Sequence, residues 1–224
     1  MGVIKRLMSV PILWDSVQVV LGAMKFKREL YLSKLHPPGK LLDFGCADGH
    51  IADTFAGFDY YGVDIDPVAI EAAKQRFRDR PNMHFIAADL CTRPFPADKF
   101  DEILFACTIH HLDDERLLRL LKELHYCMKP DGVIHVIDMV RQDKDGWSQN
   151  LMRRLDQGKY TRTLPQIVSL IESLGLFRCG KPSLHTPLWS VSQRLRLRVL
   201  APSKKSRAAR RSTSPALLKI GRFR

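Results

Sequence analysis

Between residues 40 and 140 the chain alternates short, fully apolar runs with stretches of helical period. KLLDF (40–44) stops at Gly45, HIADTFAG (50–57) reads as helix, and YYGVDID (60–66) reads as strand. Pro67 then opens the helical pattern VAIEAAKQRFRDR (68–80), at a first-turn position where a missing N–H costs little. MHFIAAD (83–89) and FDEILFAC (100–107) are strands, and DDERLLRLLKELHYCM (113–128) is a periodic helix with acids in its first turn. A Lys129–Gly132 turn leads to the strand VIHVIDMV (133–140), and LPQIVSLIESLG (164–175) is a helix ended by glycine. FRCGKPSLH (177–185) and RLRLRVL (194–200) are the last strand candidates. The second alternates Arg194, Arg196 and Arg198 with Leu195, Leu197 and Val199. Ahead of all this, Leu13, Trp14, Val17, Val20, Leu21 and Met24 recur at helical spacing, so residues 12–35 read as an amphipathic helix.

Short β-branched runs separated by helices predict an α/β fold: a Rossmann-like, doubly wound, mostly parallel seven-stranded sheet with helices on both faces and an N-terminal helical extension. Ligands of such sheets sit at the carboxyl ends of the strands. Attention therefore falls on the residues that follow Phe44, Asp64, Ala88 and the strand ending at Cys107.

LDFGCADG (42–49) follows the first strand and opens a helix. Gly45 and Gly49 let a ligand approach the backbone. Asp64 lies 19 residues past Gly45, close to the spacing at which an acid meets ribose hydroxyls. Asp89 falls on the same rim. Ala47 and His50 occupy the second and third glycine positions of a dinucleotide loop, and Asp48 would repel a pyrophosphate. A positively charged, phosphate-free cofactor fits better.

At this point the chain resembles the class I S-adenosylmethionine-dependent methyltransferases, type 11 group. The motifs are LDFGCADG (42–49), YYGVDIDP (60–67), AADL (87–90), FDEILFACTIHHLDD (100–114) and LHYCMKPDGVIHVID (124–138). The resemblance implies S-adenosylmethionine as cofactor, with Gly45, Cys46, Ala47 and Gly49 packing on its methionine part and Asp43 near the methionine amino group. It implies Asp64 on the ribose and Asp89 on the adenine amine, with Ile65 and Leu90 flanking the ring. Cys107 completes the cofactor set on the rim of the fourth strand. Ala47 stands where glycine is usual, which points to an effect on affinity.

Methyl transfer needs alignment, exclusion of water and, for some acceptors, a base. His110 and His111 follow the fourth strand and are the candidate bases. Each also has a reading as a helix cap or backbone partner, and the sequence does not separate the two residues. His125 and His135 read as structural. Neither an Asn/Asp-Pro-Pro-aromatic motif nor a Pro-Cys nucleophile follows FDEILFAC, so base-methylating chemistry on nucleic acid is disfavoured. The expected acceptor is a small molecule or a lipid-like compound. Residues 12–35 and 140–163, with Trp14, Trp147 and Tyr160, are the candidates to cover its pocket. The alternatives are an RNA or protein methyltransferase, or a non-catalytic S-adenosylmethionine-binding partner protein.

Composition alters this picture in one place. The formal net charge is +12, but residues 191–224 hold 11 of the 36 basic residues and none of the 24 acidic ones, so residues 1–190 are nearly neutral. The expected organisation is an N-terminal helical lid (1–38), a methyltransferase domain (39–200) and a basic, disordered tail (201–224). Residues 191–224 are the candidate contact to an anionic membrane surface or RNA. The five cysteines show no CxxC spacing and lie mostly in apolar runs, so neither a disulfide framework nor a metal site is expected, and the expected location is cytoplasmic.

Overall fold

The computed structural model describes Arg28, Leu35 and residues 37–91, 100–143, 145–156, 158–185 and 192–200. The expected N-terminal helix over 12–35, apart from Arg28 and Leu35, and the expected tail over 201–224 lie outside the described residues.

Leu41 is buried on one face of strand β1 (Lys40–Phe44), and Leu42 on the other. That arrangement requires cover on both sides, and it repeats along the sheet. Tyr60 and Val63 of β2 (Asp59–Asp64) enter opposite cores, as do Ile103 and Leu104 of β4 (Phe100–Ala106). One core is closed by helices α2 (Asp114–Cys127) and α4 (Leu164–Glu172) through Leu117, Leu120, Leu124, Ile167 and Ile171. The other is closed by α1 (Pro67–Arg76) and a short 3-10 turn at Ala52–Phe55, through Ile70, Ala73 and Phe55. The pattern 50–57 predicts a full helix. The chain makes only this 3-10 turn, because Gly57 and the start of β2 follow within a few residues.

The strand order is β3-β2-β1-β4-β5-β8-β6, with β3 at Met83–Ala87 and β5 at Met128–Met139. The first five strands are mutually parallel, and β8 (Ser192–Val199) runs antiparallel to β5. The candidate strand 177–185 is split in two: β6 (Phe177–Cys179) and β7 (Ser183–His185) pair with successive stretches of β8. Eight strands therefore fill seven positions, the mostly parallel seven-position sheet that the sequence predicts. The expected turn at 129–132 is absorbed into β5. Residues 140–163 contain one further helix, α3 (Trp147–Leu155).

The caps follow local chemistry. Asp66 accepts from the Val68 and Ala69 backbone N–H groups at the start of α1, and Asp113 accepts from Arg116 N–H at the start of α2. Thr163 and Gln166 form a reciprocal capping box on α4. The chain runs outward from β1 through β2 to β3, then returns to add β4 on the other side of β1. The crevice at this reversal opens at the carboxyl ends of β1, β2 and β4.

Candidate functional site

A cavity of about 350 Å3 occupies that crevice. Its walls include Gly45 after β1, Asp64 and Ile65 after β2, Asp89 and Leu90 after β3, and Cys107, Thr108 and His111 after β4. Four separate segments thus converge on one space, and six of the ten expected cofactor residues line it.

Gly45 sits at φ +81, and a Cβ there would lie 2.6 Å from the Thr108 hydroxyl. Only glycine allows the β1 loop to close against the β4 loop at this point. The Thr108 hydroxyl donates toward the Phe44 and Ala106 carbonyls, which ties the two loops together. Gly49 sits at φ +72, where a Cβ would press on Phe77 and Phe85 at 3.1 Å, so it fits the loop onto the core and does not line the cavity. Ala47 takes φ +48 although it has a side chain, and its N–H donates to Asp64 Oδ2 at 2.9 Å. Asp64 Oδ1 accepts from Asp66 N–H at 3.0 Å. Two backbone N–H groups thereby fix the Asp64 carboxylate at the cavity rim.

Asp89 accepts from Cys91 N–H through Oδ1 at 2.9 Å, while Arg116 lies 3.5 Å from Oδ2. Asp89 therefore caps a turn and lines the cavity as well. Ile65 is 66% exposed and Leu90 is buried, which gives the cavity an open apolar lip and a closed apolar wall.

Two expected residues lie beneath the cavity, outside its lining. Asp43 is buried and accepts from the Tyr60 hydroxyl at 2.7 Å. Cys46 packs in the core, where burial and the nearby acids push its thiol pKa up. Asp48 also differs from its sequence reading. Its hydrogen bond with His50 and the Arg76 guanidinium hold it at about 2, and it faces them, away from the cavity. The negative wall of the cavity comes from Asp64 and Asp89.

The structure separates the two histidines. His110 is buried, with Nδ1 2.5 Å from Asp138 Oδ1 and Nε2 3.1 Å from Asp156 Oδ1. Burial opposes its charge, but Asp138 and Asp156 overcome that, and its pKa is pushed up to about 11. It is a buried cation between two carboxylates. His111 lines the cavity mouth, its ring 4.2 Å from that of His110. Burial of part of the ring and the neighbouring cation hold its pKa below the ordinary imidazole value, so at neutral pH it is an uncharged acceptor facing the cavity.

Residues 156 and 158–163 secure this pair. Tyr160 N–H donates to the His110 carbonyl at 2.9 Å. Buried Arg162 donates to the Ile109 and Leu112 carbonyls at 3.1 and 2.7 Å, and to Asp114. A Cβ on Gly158 would fall 1.9 Å from His110 Cδ2, so only glycine fits there. Sequence reasoning missed Asp138, Asp156, Gly158 and Arg162. Asp138 carried a signal, as an acid at the carboxyl end of a buried strand; the others carried none. His125 and His135 are buried away from the cavity, His135 with Nε2 2.6 Å from Glu102. Trp147 and Tyr160, expected to cover the pocket, are exposed and are not among its walls.

The cavity suits S-adenosylmethionine. Gly45 leaves open backbone for a flexible chain, the fixed carboxylate of Asp64 suits a pair of hydroxyls, and Asp89 with Leu90 offers an acceptor beside an apolar wall for a ring amine.

Residues 41–132 match the protein-family model described as "Methyltransferase domain". Over 144 residues the chain is 28% identical to the phosphoethanolamine N-methyltransferase of Plasmodium falciparum, covering 62% of this chain and 54% of that one. It is 32% identical over 102 residues to an uncharacterized methyltransferase of Mycobacterium tuberculosis, covering 45% and 50%. The chain thus spans about half the length of these curated relatives. Among solved structures, an S-adenosylmethionine-dependent methyltransferase from Methanosarcina mazei superposes with a TM-score of 0.62 at 18% identity, covering 77% of this chain and 98% of that one. Motif order, sheet topology and the matched residues agree: residues 41–132 are similar to a methyltransferase domain, and the sheet has the fold of S-adenosylmethionine-dependent methyltransferases.

Proposed function

We propose that the chain is an S-adenosylmethionine-dependent methyltransferase that methylates an amine or hydroxyl of a small or lipid-like acceptor, with His111 as the base. The carrying observation is the placement of an uncharged imidazole at the mouth of the cavity walled by Gly45, Asp64 and Asp89. The cofactor supplies an electrophilic methyl group on a positively charged sulfur. Asp64 and Asp89 are the residues that would hold its polar ends, and Ile65 and Leu90 those that would flank its ring.

The rest is the work of the chain. An acceptor N–H or O–H presented at the mouth meets His111, which takes the proton as the methyl group is accepted. His111 then returns the proton to solvent on its open side. His110 does not take part in that transfer: already protonated and buried between Asp138 and Asp156, it positions His111 and keeps it deprotonated. The relative that methylates phosphoethanolamine supports a small amine as one acceptor class.

The test is transfer of labelled methyl from S-adenosylmethionine to pools of small amines, hydroxyl compounds and amphipathic lipids. Transfer to one pool, lost by about 100-fold or more in His111→Ala, is expected for a base of this kind. Near-normal turnover of His111→Ala would remove the base. Calorimetry with S-adenosylmethionine tests the cavity separately, and Asp64→Ala should abolish measurable binding.

A further inference from the structure

Away from the cleft, on the antiparallel side of the sheet, lies a groove of about 230 Å3 lined by Arg178, Cys179, Gly180, Lys181, Arg196 and Arg198. Arg196 and Arg198 are exposed and flank buried Leu197, so both lie on the outer face of β8. Arg178 is the direct cross-strand partner of Arg198, and it too is exposed. Like charges directly opposite one another destabilise a sheet. No described acid pairs with these three arginines or with Lys181. Glu172, the acid nearest in sequence, closes on the Cys179 thiol, which packs on the core side of the strand. From residue 173 to residue 224 the sequence contains 13 basic and no acidic residues. The face is thus a concentrated positive surface held at a cost to the fold, and an anionic partner would relieve it.

The chemistry of the face selects the partner. Arginine forks match phosphate oxygens in pairs. Sheet surfaces that read single-stranded nucleic acid stack bases on aromatic rings, whereas Phe177, the aromatic residue of β6, is buried in the core. Position adds a second argument. Arg198 and Arg196 pair with Val133 and His135 in the middle of β5, whereas the cleft opens beyond them at the carboxyl ends of the parallel strands, where Cys107 N–H bonds to the Ile137 carbonyl. A polymer substrate held here would not lead into the cleft, but a surface anchored here leaves the cleft free.

We propose that the outer face of β6 and β8 is a docking surface for the phosphate headgroups of an anionic lipid membrane. The chain would sit on the membrane through Arg178, Lys181, Arg196 and Arg198. This proposal does not depend on the identity of the methyl acceptor, since it is read by binding alone.

The test is co-sedimentation of the full chain with vesicles of phosphatidylcholine alone, and of phosphatidylcholine mixed with phosphatidylserine. Binding is expected only to the mixed vesicles and should fall as salt is raised. Each basic residue near such a surface is worth about fivefold in partition, so Arg178→Gln, Arg196→Gln and Arg198→Gln together should weaken binding about 100-fold. Should that triple variant unfold, Arg178→Gln alone serves. It removes the like-charge pair, so its melting temperature should hold or rise while its binding weakens about fivefold. Binding unchanged in these variants would overturn the proposal, as would equal binding to both vesicle types. Tighter binding to RNA than to vesicles through the same arginines would replace the membrane with a nucleic acid.

Discussion

Asp138→Asn tests the division of labour between the two histidines. Asp138 is fully buried. Its Oδ1 is 2.5 Å from His110 Nδ1, and it also accepts from the Met139 and His110 backbone N–H groups. Burial alone would discharge His110; Asp138 is the larger of the two acids that reverse this, and Asp156 is the smaller. The gap between 6.5 for a free imidazole and about 11 for His110 corresponds to about 6 kcal/mol of coupling to the native state. Breaking a buried ion pair from one side costs about 3–5 kcal/mol. With Asp156 still in place, a loss of about 3 kcal/mol is expected.

The sign follows from linkage. The folded pKa is raised, so the stabilisation is complete below about 6.5 and is lost as pH rises toward about 11. Between those values the native state holds one proton more than the unfolded state, and stability falls by about 1.4 kcal/mol per pH unit. Urea unfolding between about pH 7.5 and 8.5 reads this slope; the buried thiols, whose unfolded forms begin to ionise toward its upper end, are common to both proteins and cancel in the comparison. The wild-type chain should lose at least about 1.4 kcal/mol across that interval, and Asp138→Asn, with His110 still held partly charged by Asp156, should start about 3 kcal/mol lower and flatten toward its upper end. Stability that stays level in the wild-type chain across that interval would refute a charged His110, and with it the part of the His111 shift that the neighbouring cation supplies.

Other expectations are simpler. Ala47→Gly removes a side chain from a left-handed position and should raise the unfolding free energy by up to about 1 kcal/mol in urea titrations. Gly158→Ala forces a methyl group into the His110 ring and should cost about 1–3 kcal/mol, with turnover falling further than S-adenosylmethionine affinity. Since His111 titrates below the ordinary imidazole range, kcat/KM should stay level through neutral pH and fall only on the acid side of about 6.5. Arg162→Lys keeps the charge but cannot reach the Ile109 and Leu112 carbonyls together, so it should lower thermal stability measurably, whereas a surface Arg→Lys change at Arg119 should not.

The order of strands and helices was legible because both faces of the sheet are covered. Leu41 and Leu42, or Ile103 and Leu104, must then both be apolar, and the runs stand out from the periodic helices. The rim residues were legible for a related reason: Gly45, Asp64 and Asp89 each end a strand, and a parallel sheet gathers its carboxyl ends on one side. What a side chain faces was less legible. Asp48 has the right place and charge to guard the loop, yet Arg76, 28 residues away, turns it outward. The 50–57 segment has a helical pattern but no room to extend it.

His110 and His111 show why spacing cannot settle a chemical role. The two are adjacent and of one type, and their opposite behaviour is set by acids 28 and 46 residues downstream of His110. Two carboxylates around one imidazole make a fixed cation. Burial of part of the His111 ring and then that cation, at 4.2 Å, deny a charge to this neighbour, and the neighbour is the one that reaches the cavity. A charged His110 stabilises the fold and, in the proposed reaction, an uncharged His111 takes the proton, so a single buried charge would couple the two. Variants that discharge His110 should therefore lose stability and shift the acid limb of activity together, while variants at His111 should change activity alone.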